Sequence, residues 1–89
     1  MTPARRHMLR VKELGCAICR NLGLGATPAD AHHCFDTSDK DDFLTIPLCR
    51  EHHQGATGFH GLGERKFNAT YKTSERRLLG QTYRELEAA

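Results

Sequence analysis

Pro47-Leu48-Cys49-Arg50-Glu51-His52-His53 places a cysteine and two histidines in one short run, and 30 residues before Cys49 the run Cys16-Ala17-Ile18-Cys19 ends. Cys16-x-x-Cys19 and Cys49-x-x-His52 are two knuckles of the same spacing. A two-residue gap lets both side chains of a pair turn inward on one ion. Two such pairs supply the four nitrogen and sulfur ligands of a closed tetrahedral zinc site. Two other ligand sets use some of the same residues. Cys16 and Cys19 followed by His32 begin like a zinc finger, but the positions for its second histidine hold Asp36, Thr37 and Ser38. A four-cysteine site would take Cys34 in place of His52, yet Cys34 has no knuckle of its own. The paired spacing favours Cys16, Cys19, Cys49 and His52, with Cys34 left as a small core residue. A thiol redox role for Cys16-x-x-Cys19 lacks the βαβ pattern that usually surrounds one.

The rest of the composition agrees. The chain has 89 residues, 38% of them hydrophobic, no Trp, four Cys and six His. A domain this short buries little apolar surface and gains from a staple or a metal. With no apolar run long enough for a membrane span and no secretory pattern after Arg5 and Arg6, the expectation is a cytoplasmic protein with reduced thiols. That compartment favours metal over disulfides. Asp36, Asp39, Asp41 and Asp42 against Lys40 give one short stretch a local charge of −3, so the formal net charge of +2 leaves +5 elsewhere. The basic residues gather near the N-terminus (Arg5, Arg6, Arg10, Lys12) and toward the C-terminus (Arg65, Lys66, Lys72, Arg76, Arg77, Arg84). That distribution suits a polyanion partner.

Local signals sketch the elements of a single α+β domain. Thr2 and Pro3 start a helix over 2–14 that Gly15 ends, with Met8, Val11 and Leu14 on one face. Residues 15–25 read as a tight turn around the first knuckle. Ala31–Phe35 reads as a short strand, residues 36–42 as a solvated acidic loop, and Phe43–Ile46 as a second strand stopped by Pro47. A helix begins near Cys49, and Gly55, Gly58, Gly61 and Gly63 then punctuate a loop or broken helix. Glu64–Tyr71 reads as one helix. Thr73 or Ser74 caps another, whose Leu78, Leu79, Tyr83 and Leu86 are expected in the core. The parts are an N-terminal helix over 2–14, a zinc-bearing core over 15–63 and C-terminal helices over 64–89.

Filling the zinc site leaves histidines over. His7 lies among basic residues and is expected at the surface. His32-His33 sits on the first strand, where neighbours point to opposite sides, so one can bind metal while the other does a different job. On a helix His52 and His53 diverge by about 100°. A closed site pinning the strands and helix would let His32, His33 and His53 converge on a second, open site, the arrangement that catalytic metals use.

Taken together these residues resemble a known family. Cys-x-x-Cys, then His-His, then Pro-Leu-Cys-x-x-His-His resembles the HNH (ββα-metal, His-Me finger) nucleases that carry a structural zinc. More narrowly, GCAICRNLGLGATPADAHH (15–33), FLTIPLCREHHQGATGFHGLG (43–63) and FNATY (67–71) are similar to the phage recombination-enhancement, RecA-dependent nucleases. The resemblance implies a β-hairpin followed by a helix, with flanking helices and one divalent ion between hairpin and helix. It implies His33 as general base, His32 and His53 as ligands of a catalytic ion, and His60 as a further ligand or a phosphate contact. The implied ion is Mg²⁺ or Mn²⁺, with Zn²⁺ or Ni²⁺ as alternatives. The implied activity is endonucleolytic cleavage of DNA to 5′-phosphate and 3′-hydroxyl ends, in a phage-encoded protein acting with a RecA–DNA filament. Arg65, Lys66, Arg76 and Arg77 are the candidate DNA contacts. One departure stands out. The family's central Asn would fall near Leu44 or Thr45, where there is none, and Thr45 or Asp42 is left to hold His33. The competing reading is a non-catalytic zinc module that binds nucleic acid or protein.

Overall fold

In a computed structural model describing residues 1–89, the Thr2 hydroxyl accepts from the Arg5 amide and starts α1 (Pro3–Glu13). Gly15 follows at φ 81°, a left-handed turn that leads the chain away from the helix. A Cβ there would also stand 2.8 Å from Ala26, so glycine is required twice over. Val11 is fully buried on the inner face, with Met8 and Leu14 half-buried beside it.

The region expected as a bare turn contains α2 (Ala17–Asn21), because the Cys16 sulfur caps it by accepting from the Cys19 amide at 3.4 Å. The glycines of this stretch flank the helix, Gly15 before it and Gly23 and Gly25 after it. β1 (Asp30–His33) and β2 (Thr45–Leu48) form a two-stranded antiparallel sheet, pairing His32 with Ile46 and His33 with Thr45. Both strands are displaced from expectation, and Pro47 lies inside β2 instead of stopping it. The reason is ladder parity. The Cys34 amide donates to the Leu44 carbonyl at 2.8 Å, and bonded and non-bonded pairs alternate from there. Ala31–Pro47 is therefore a non-bonded pair, where a missing N–H costs nothing.

All four β2 residues are buried, because α1, α2 and α6 (Glu75–Ala88) surround the strand. Cys49 then caps α3 (Arg50–Gln54), its sulfur accepting from the His52 amide at 3.5 Å. Hairpin and helix thus follow one another directly as ββα. The glycine-rich stretch holds the short α4 (Phe59–Leu62), and α5 (Glu64–Tyr71) has the expected bounds. Ser74 caps α6 through the Arg77 amide. Ile18, Ile46, Leu48, Phe67 and Leu78 form the centre of the core, packed around the knuckle cysteines.

Two expectations about α6 and α1 fail together. Tyr83 is 41% exposed and not core, while His7 is buried and not at the surface. The Tyr83 hydroxyl donates to the Phe43 carbonyl, and the His7 ring lies between Phe43 and Tyr83 with centroids 5.0 and 5.3 Å away. A ring sandwich at the edge of the sheet takes the place of aliphatic burial, and desolvation lowers the pKa of His7.

Close backbone approach fixes α3 against α4. A Cβ on Gly58 would fall inside the carbonyl of Glu51 and 2.6 Å from the carbonyl carbon of His52. No rotamer relieves a clash with backbone. Gly58→Ala is therefore expected to cost about 2–3 kcal/mol, lowering the melting temperature by roughly 10 °C or more. Calorimetry of the two proteins checks this, and an unchanged melting temperature would mean that α3 and α4 are not so closely joined.

Candidate metal centres and active site

Two helix starts bring the knuckles together. Cys16 and Cys49 each stand at the N-cap of a short helix, and the second member of each pair lies one turn on, facing the same point. His52 Nδ1 is 3.6 Å from Cys16 Sγ, 3.4 Å from Cys19 Sγ and 3.3 Å from Cys49 Sγ, and Cys19 and Cys49 are 3.8 Å apart at sulfur. Tetrahedral zinc bonds place sulfurs about 3.8 Å apart and sulfur and nitrogen about 3.5 Å apart. The cluster has the size of a zinc site. All four residues are buried. Burial pushes the Cys16 thiol up to about 11, which a coordinated cation reverses by binding the thiolate. These residues fit a structural metal such as zinc. Cys34 belongs to neither cluster; burial and the charge of Glu75 push its thiol up to about 12.

A second cluster lies beside the first. His32 from β1, His53 from α3 and His60 from α4 bring ligand nitrogens within 4.8 Å of one another. The three differ in exposure: His32 is buried, His53 half-buried and His60 exposed. One side of the group is therefore open. Two of the rings are held from behind by carboxylates. His32 Nε2 is 2.8 Å from Glu75 Oε2, and His53 Nδ1 is 3.5 Å from Asp30 Oδ2. Such partners fix ring orientation and leave the other nitrogen for an ion. Burial, with His53 and His60 adding like charge, pushes His32 down to about 3, and burial also lowers His53. Both rings are held neutral, the form that coordinates metal.

His33 stands next to His32 on β1, with its side chain 30% exposed. Its Nε2 is 2.8 Å from Asp42 Oδ1. Asp42 is fixed in turn, since the Thr45 hydroxyl donates to its carbonyl at 3.1 Å. The two candidates for the missing Asn thus occupy successive places: Asp42 touches His33, and Thr45 holds Asp42. A cleft of about 460 Å³ takes in His32, His33 and His60 together with Asp36, Lys40 and Glu75.

The hairpin, two helices and a glycine-rich turn thus gather two clusters, one closed and one open, over nearly the whole chain. Residues 2–87 match the family described as "Recombination enhancement, RecA-dependent nuclease". The chain belongs to this family of RecA-dependent nucleases. No curated protein and no solved structure matches it.

For this RecA-dependent nuclease, sequence reading named His32 and His53, which the fold brings together, but missed Glu75 and Asp30 beside them. Asp30 had a signal, two residues before His32 on the same strand. Glu75 had none, because an acid after Ser74 looks like an ordinary first-turn residue. The four candidate DNA contacts are all exposed but divide in place. Arg65 and Lys66 follow Gly63 and Glu64, which line the histidine cleft, whereas Arg76 and Arg77 face a separate groove.

Proposed function

We propose that this chain is one metal-dependent DNA endonuclease domain of the HNH (ββα-metal) type, acting in DNA recombination. The observation that carries the reading is the open triad His32, His53 and His60 with His33, held by Asp42, at its edge. With Asp42 accepting from Nε2–H of His33, Nδ1 keeps its lone pair and takes the proton of the attacking water. The carboxylate stabilises the imidazolium that results. His32, His53 and His60 would hold the catalytic ion, with Glu75 and Asp30 setting the first two rings. That ion, Mg²⁺ or Mn²⁺ with Zn²⁺ or Ni²⁺ as alternatives, would supply polarisation of the scissile phosphate and charge stabilisation at the leaving 3′-oxygen. The products are a 5′-phosphate and a 3′-hydroxyl. Arg65 and Lys66, beside the cleft, would bind flanking phosphates. The family description makes a RecA–DNA filament the partner to test first. A non-catalytic zinc module would have no use for three imidazoles around an open position.

The test is cleavage of supercoiled plasmid by the purified chain, with and without RecA, over a titration of Mg²⁺ or Mn²⁺. Wild type should nick the plasmid in a metal-dependent way. Glu75→Gln should raise the metal concentration for half-maximal rate by about 10–100-fold. A wild-type protein inert with every ion, RecA included, sinks the enzyme reading.

A further inference from the structure

α6 presents two different faces. Counting about 100° per residue from Glu75, Leu78, Thr82 and Leu86 return to the inner side, while Arg77, Gly80 and Arg84 fall about 140–200° away. The inner face holds Glu75 against His32. The outer face, with the turn before it, forms a shallow groove of about 550 Å³ lined by Lys72, Thr73, Arg76, Arg77, Gln81 and Arg84, with Gly80 in its floor. No acid lines it. None of the four cations is in an ion pair, and the neighbouring carboxylate of Glu85 is taken by Arg20 at 2.6 Å. Four unpaired cations along one groove are an electrostatic footprint for a chain of phosphates.

Gly80 adds an independent reason. Glycine inside a helix weakens it relative to alanine, and α6 is otherwise regular over 14 residues. No positive φ calls for glycine there, and the only atom near a Cβ would be Arg84 Nη1 at 3.3 Å. Packing against the fold does not require it. What its bareness does is deepen the groove and let a guanidinium lie across the helix.

We propose that this groove binds the phosphate backbone of DNA at a place separate from the metal centre, outside the cleft that holds the phosphate being cut. The proposal rests on the nuclease reading for naming DNA as the ligand. The histidine cleft meets α6 at Glu75 and shares no lining residue with the groove. A phosphate held in the groove is therefore a different one from the phosphate at the metal centre.

The experiment uses His33→Ala as the background, so that binding is measured without cleavage. Affinity for a labelled duplex is followed by fluorescence anisotropy over a salt series. Adding Arg76→Gln, Arg77→Gln and Arg84→Gln should weaken binding at least about tenfold and lower the salt slope by roughly 2–3. Arg5→Gln, Arg6→Gln and Lys12→Gln together remove the same charge from α1 and should do much less. Equal losses in both sets, or no loss in the groove set, overturn the proposal. Lys72→Gln and Arg84→Gln, groove residues outside the four candidate DNA contacts, placed in the otherwise wild-type chain should leave hydrolysis of bis(p-nitrophenyl) phosphate unchanged. Loss of that activity would merge the groove with the metal centre and overturn the separation. A wild type that never hydrolyses this diester counts against the nuclease reading alone, because the anisotropy comparison stands without it.

Discussion

Cys49→Ser should unfold this chain. The expected result is loss of most helical circular dichroism at room temperature and no cooperative melt, while wild type keeps one zinc per chain through dialysis against a chelator. The magnitude follows from what the metal is asked to do. Structural zinc contributes about 10–16 kcal/mol in small domains, against a total stability of about 5–15 kcal/mol for a typical domain. The core available without it is thin: its centre is five apolar side chains, and the cysteines fill the space between them. Serine keeps the volume and the N-cap hydrogen bond but supplies no thiolate. Cys34→Ser is the control, since Cys34 is equally buried and lies outside the cluster. It should cost about 1–3 kcal/mol and leave the zinc in place. A wild type that folds without zinc, or a Cys34 variant that loses it, would remove the assignment of Cys16, Cys19, Cys49 and His52.

Those four residues were legible because the information is local. Each knuckle spans one helical turn, and the same sulfur that binds metal also caps the helix, so spacing alone predicts the geometry. The ββα order was legible for a related reason: the second knuckle starts the helix immediately after the strand. The carboxylate behind His32 was not legible, because Glu75 reaches it across 43 positions of sequence and only the packing of α6 brings it there. His7 and Tyr83 failed in the same way. The burial of His7 and the exposed position of Tyr83 depend on a contact between the two ends of the chain, which no periodicity encodes. Pro47 misled for a subtler reason. Whether proline ends a strand depends on ladder parity, and parity is set by a pairing between residues 10 positions apart, Cys34 and Leu44.

The second large effect belongs to His33. Replacing it with alanine is expected to lower metal-dependent plasmid cleavage by about 10²–10⁴-fold, with zinc content and melting temperature unchanged. The separation is possible because the two clusters use different residues. His33 is not in the closed site, makes its one side-chain hydrogen bond to a half-exposed aspartate and carries no part of the core. Asp42→Asn tests the other half of the pair. An amide fills the same space but cannot stabilise the imidazolium by charge, so activity should fall by less than in His33→Ala. The double variant should be no worse than His33→Ala alone, since Asp42 acts only through His33. Full activity in His33→Ala would remove it as the base. An Asp42→Asn loss that adds in full to the His33→Ala loss would give Asp42 a separate task, such as binding the ion itself.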